Sequence, residues 1–155
     1  MLNLLIISFL SIIIISPLGY VVLKNDNKDF LNYSISTIYG IILISFISLV
    51  LNFFFPLSKL INTLLIIIPI FIIYKKPSFF LNLVFIKFCI IGTLIIFLLI
   101  SKTNVYRPDA YLYHLPYLDI LNNNKIIFGL SNLHYRFGHI SIMQYSSAIF
   151  NNFIF

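Results

Sequence analysis

From Leu2 to Leu23 the chain carries no charged side chain, and similar apolar runs follow over about 33–55, 57–74 and 79–100, interrupted only by Lys59 and Lys87. A helix rises about 1.5 Å per residue, so about 20 apolar residues cross roughly 30 Å of hydrocarbon. Inside a bilayer every backbone N–H and C=O must be satisfied within the segment, which makes runs of this kind helices. Composition agrees, with 61% hydrophobic residues, 9% charged and a mean hydropathy of +1.05, far from the roughly 45–50% apolar and about 25% charged of soluble domains. The sequence therefore predicts an all-α, polytopic membrane protein. These four runs would be spans, and a more polar fifth run over about 140–155 would be a helix facing protein or one cut short.

Local signals divide the runs. Pro17 and Gly19 are expected to kink the first helix, which has no Lys or Arg ahead of it and is followed by further spans, unlike a cleaved secretory signal. Pro56 stops the second run, and the short turn through Ser58 leaves the second and third spans antiparallel neighbours. Asn52 and Asn62 flank that turn, where they would cap helix ends or bond across the hairpin. Lys87, inside the fourth run, either snorkels to the interface or marks a functional site. Cys89 has no second cysteine to pair with, so neither a disulfide nor a thiol-ligated metal can be built.

The net charge of +6 is spread over short connectors, which makes it a topology signal rather than a nucleic-acid footprint. Lys24, Lys28, Lys75 and Lys76 fall in connectors on one side. The positive-inside rule puts that side in the cytoplasm and a polar loop over 101–139 outside it. The chain reads as one membrane domain over 1–155, forming the N-terminal part of a larger protein.

The segment from Tyr106 to His139 holds two of the four acids, Asp109 and Asp119, with all three histidines and both arginines. Pro108 suits a first helical turn, which would place Asp109 where the helix dipole favours its charge; Pro116 is expected to kink or end that helix near Leu115. On a regular helix Asp109 and His114 face apart by about 140°, and His134, Arg136 and His139 match no metal spacing, so neither a metal nor a cofactor is expected. Asp109 could equally be a cap or pair with Arg107 or Lys102. The tyrosines could form an interfacial belt, and Lys125 and Arg136 could bind lipid phosphate simply as cations.

The string RPDAYLYHLPY resembles the Asp-x-x-x-Tyr-His-Leu-Pro pattern in the first large outward loop of bacterial multi-span proteins similar to GT-C glycosyltransferases, and GLSNLHYRFGH resembles one uncharacterised branch of them. The resemblance implies a membrane glycosyltransferase taking a sugar from a polyprenyl-phosphate carrier to a glycan or lipid acceptor. Carried over residue by residue, it implies Asp109 as the catalytic carboxylate and Tyr113 and His114 as its companions. Arg107, Lys125, His134 and Arg136 are the remaining substrate-binding candidates. The chain departs from many such enzymes in having Ala110, not a second acid, after Asp109. The rival readings are a non-catalytic polysaccharide-export, flippase or assembly component and, third, an enzyme like an O-antigen polymerase.

Overall fold

A computed structural model describes residues 2–101, 110–138 and 141–152. All the regular structure among them is helical: α1 (Leu2–Leu23), α2 (Phe30–Phe54), α3 (Lys59–Lys75), the single turn α4 (Pro77–Phe80), α5 (Leu83–Ser101), a π-helical segment (Ala110–His114) running into α6 (Leu115–Asn123), two 3₁₀ turns (Leu130–Asn132 and Tyr135–Gly138), and α7 (Met143–Asn151). Helices α1, α2 and α5 are long and apolar enough to cross a membrane, yet only 39%, 28% and 17% of their apolar windows are buried within the protein. Surfaces so apolar and so uncovered need lipid as their solvent. The chain is an all-α, polytopic membrane protein. Helix α3 has 17 residues, about 26 Å at 1.5 Å per residue, a little less than the hydrocarbon core.

Several boundaries differ from the sequence expectation, each for a local reason. Helix α2 starts at Phe30 rather than near residue 33, because Asp29 acts as its N-cap, its Oδ1 accepting from Asn32 N at 2.7 Å. The fourth run is not one helix over 79–100. It breaks after α4, and Asn82 Oδ1 then accepts from Val84 N at 2.9 Å and Phe85 N at 3.0 Å to start α5 afresh. Lys87 thus lies in the first turns of α5 and is exposed. Pro17 sits inside α1 without ending it.

The polar loop expected over 101–139 is helical from Ala110 to Asn123, and Pro116 lies in the first turn of α6 rather than at a helix end. A proline there has no N–H for the carbonyl four residues back; the widened π turn just before it accommodates the missing bond. The last helix covers nine residues, Met143–Asn151, less than half the length of a span.

The helices gather into two units. The first comprises Met1–Leu43 and Ile66–Val105. Within it α1 and α2 touch backbone to backbone: a Cβ on Gly19 would stand 1.7 Å from Ser36 O, and one on Gly40 would stand 2.0 Å from Ile15 O. Only residues without side chains allow this approach, and lipid offers no hydrophobic drive to replace it. The hydroxyls of Ser16 and Thr37 bond across the same seam. Beside it, Tyr20, Tyr33, Phe79, Phe80 and Phe85 form an aromatic core, in which Tyr33 OH donates to Phe79 O at 2.8 Å. At one end Asp26 accepts from Tyr20 OH and lies 3.4 Å from Lys76 Nζ. The connector after α1 and the connector after α3 therefore share one end of this unit.

The second unit comprises Ile44–Leu65 and Tyr106–Phe155. Its core is Leu57, Tyr117, Leu121, Leu130, Tyr145 and Ala148. Asn52 and Asn62 are both fully buried, and they reach beyond the hairpin. Asn52 Nδ2 donates to Asn124 O at 3.0 Å, with longer contacts to Leu121 O and Phe55 O. Asn62 Nδ2 donates to Asn152 O at 2.7 Å and Leu57 O at 2.8 Å, with a longer contact to Ala148 O. Each amide thus collects carbonyls that the end of α6 or of α7 leaves without a helical partner.

Candidate functional site

Two pieces of the second unit build the site. The π-helical segment presents Tyr113 and His114 side by side, with ring centroids 4.2 Å apart. The 3₁₀ turn Tyr135–Gly138 presents Tyr135 and Arg136. Together these four side chains line a pocket of about 300 Å³. The Arg136 guanidinium sits 4.9 Å from the Tyr113 ring centre and 5.6 Å from that of Tyr135, and its Nε donates to Tyr135 OH at 2.9 Å. The ring faces attract the cation, and its planar shape lets it stack where an ammonium would not.

Supports surround the pocket. His134 stacks on Tyr135 with centroids 5.1 Å apart, and its Nδ1 accepts from Arg136 N at 3.3 Å. Gln144, on α7, has its Nε2 3.0 Å from His114 Nδ1, which orients the ring. Beneath, Tyr117 and Tyr145 are buried with their hydroxyls 3.5 Å apart. Burial, and then the Tyr145 hydrogen bond, push the Tyr117 phenol well above the usual tyrosine range, so it stays a neutral packing group.

Of the residues singled out in the sequence, Tyr113, His114 and Arg136 line the pocket, and His134 adjoins it through Tyr135. Lys125 is exposed and is not among the lining residues. Asp119 is exposed and accepts from Asn123 Nδ2 at 2.8 Å. Asp109, Arg107 and His139 lie outside the described residues. Sequence reasoning missed Tyr135 and Gln144 as site residues; the polar Gln144 in the last run, which needs a protein partner, was the available signal. Among the described residues no three His, Cys, Asp or Glu side chains gather as a metal site.

The profile of DUF8201, a domain of unknown function, matches residues 1–155. The chain belongs to this family. The DUF8201 match takes in both units, so the membrane helices and the pocket are parts of one family unit. No curated protein and no solved structure matches this DUF8201 chain. What its pocket can do chemically follows from the groups present: a fixed cation, two phenols and an oriented imidazole suit an anionic oxygen ligand or the face of a sugar ring.

Proposed function

We propose that the chain is the membrane part of a GT-C-type glycosyltransferase, moving a sugar from a polyprenyl phosphate to a glycan or lipid hydroxyl on the outer side of a bacterial inner membrane. The observation that carries this reading is the pocket in which Tyr113 and His114, from the Tyr-His-Leu-Pro string, meet Arg136. A second support is that Asp26 and Lys76 bring two lysine-bearing connectors to one end of the first unit, as the positive-inside orientation requires.

In the reaction the acceptor oxygen forms a bond to the anomeric carbon as the bond from that carbon to the phosphate oxygen breaks. The acceptor proton passes to Asp109, and the electron pair leaves with the lipid phosphate. Arg136 offsets the phosphate charge, with Arg107 and Lys125 as the other candidate cations and His114 donating a hydrogen bond.

The test uses the natural full-length protein in membranes supplied with a labelled polyprenyl-phosphate sugar. Asp109→Asn should lower transfer by about 10² to 10⁴ while leaving membrane insertion intact, and Arg136→Gln should raise the donor KM. Undiminished transfer in Asp109→Asn sinks the catalytic assignment. Glycan binding without transfer in the parent protein would identify an export or assembly component instead. Orientation is read separately, from impermeant thiol labelling of single cysteines at Asn123 and Ser78 in a Cys89→Ser background; labelling only at Asn123 is expected.

A further inference from the structure

Between α6 and the second 3₁₀ turn the chain makes a knuckle whose apolar side chains point the wrong way for a water-facing loop. Leu130 is tucked into the core of the second unit, while Phe128 is 83% and Leu133 is 79% exposed. Gly129 makes the reversal possible with φ of +83°, and Leu133 N and His134 N then bond back to Leu130 O at 3.0 and 3.2 Å. Backbone bonds therefore hold Leu133 on the outside of the turn, and Phe128 stands exposed just ahead of the reversal.

Depth is fixed too. Ile126 N donates to Asn52 O at 2.8 Å, and Asn52 lies in the last turn of α2, a helix long and apolar enough to cross the membrane. Phe128 follows two residues on, within about 7 Å of that anchor even if the chain is fully extended. At the same level α2 ends in the exposed Phe53 and Phe54, followed by Phe55. Lys125, just before the knuckle, is exposed as well. Aromatic and aliphatic groups at the mouth of a spanning helix, with a cation beside them, are the chemistry of the bilayer interface.

We propose that the knuckle over 126–133 is seated in the phospholipid interface, with Phe128 and Leu133 among the upper acyl chains and Lys125 at the phosphates. The knuckle leads directly into Tyr135 and Arg136, so this seating sets the candidate pocket at the membrane surface. The inference concerns the surface and does not depend on the glycosyltransferase reading.

The chain has no tryptophan, so one introduced residue reports on its own surroundings. Phe128→Trp, Leu133→Trp and, for comparison, Asn123→Trp are prepared in the full chain in nanodiscs of phosphatidylcholine and phosphatidylglycerol. Half of each preparation carries lipids brominated high on the acyl chain. The expected result is loss of most emission for Phe128→Trp and Leu133→Trp in brominated discs, with Asn123→Trp unchanged. Blue-shifted emission that bromine does not quench would mean that protein covers the knuckle, and red-shifted unquenched emission that water does; either overturns the proposal, as does quenching of only one knuckle residue or equal quenching at Asn123.

Discussion

The two units hold together by opposite means. In the first, long apolar helices meet where side chains are missing, at Gly19 and Gly40, and lock beside an aromatic core. In the second, short helices too polar to be solvated by lipid are tied by the amides of Asn52 and Asn62 to a helical hairpin. The difference follows from the solvent each must satisfy. A long helix closes its own hydrogen bonds and needs only close approach, whereas a nine-residue helix leaves almost as many backbone groups open as it closes.

Glycine substitutions should break the first unit hardest. Gly19→Val drives side-chain atoms into the Ser36 carbonyl, which is backbone and cannot swing aside; a loss of more than about 3 kcal/mol is expected, seen as failure to give a monodisperse chain in detergent. Gly92→Ala is the control, because its Cβ would meet only the end of Ile12, 2.9 Å away, and it should cost under about 1 kcal/mol. Equal damage from the two would show that close approach is not what holds α1 to α2.

Asn62→Leu should come next, at about 2 to 4 kcal/mol, because it strands carbonyls in a buried site. Hydrogen exchange sharpens the comparison: amides of α7 should lose protection while those of α1 keep theirs. Uniform loss through the chain would mean that the two units do not respond separately.

A smaller effect is expected in the pocket. Arg136→Lys keeps the charge but gives up the guanidinium's contacts with the Tyr113 and Tyr135 rings and its Nε bond to Tyr135 OH, worth about 1 kcal/mol. It should weaken binding of an anionic ligand severalfold, by calorimetry, and leave thermal stability nearly unchanged.

The connector ion pair should matter least. The Tyr20 hydroxyl, and then Lys76, hold the exposed Asp26 carboxyl below its usual range, and Tyr20, and then Asp26, raise Lys76. A lowered acid contributes above its ordinary pKa and loses that contribution as pH falls through the depressed value. A raised base contributes below its ordinary pKa and loses it as pH rises through the elevated one. The difference in melting temperature between the parent and Asp26→Asn should therefore be small and flat from about pH 5 to 9 and shrink at lower pH. A difference that grows on acidification would contradict this arrangement.

What the sequence made legible was the part that depends on local composition. The absence of charge from Leu2 to Leu23 is enough to draw α1, and the density of His, Arg and Tyr between Tyr106 and His139 is enough to point toward the region of the pocket. Readings that needed a partner in space did not come through. Nothing near Asn62 in the chain announces that its amide reaches Asn152, and Pro116 reads as a stop until the π turn ahead of it makes it a start. Asn82 was hidden because a cap inside an apolar run looks like one polar residue in a span. Lys125 drew notice for its charge alone, and charge does not say which way a loop turns. The candidate carboxylate at Asp109 rests on resemblance and chemistry, since it lies outside the described residues.

The π-helical segment at Ala110–His114 has a further consequence, for how this protein could change over time. A π turn holds one residue more than an α-helix has room for. Deleting Leu112 would let the ladder close as ordinary α-helix. The side chains on the N-terminal side of the deletion would then rotate by about 100° relative to α6, and any partnership between them and His114 would be lost in one step. A change of length at Leu112 would therefore re-aim the chain that enters the π turn while leaving Tyr113 and His114 in register with α6, whereas a substitution at Leu112 would change neither.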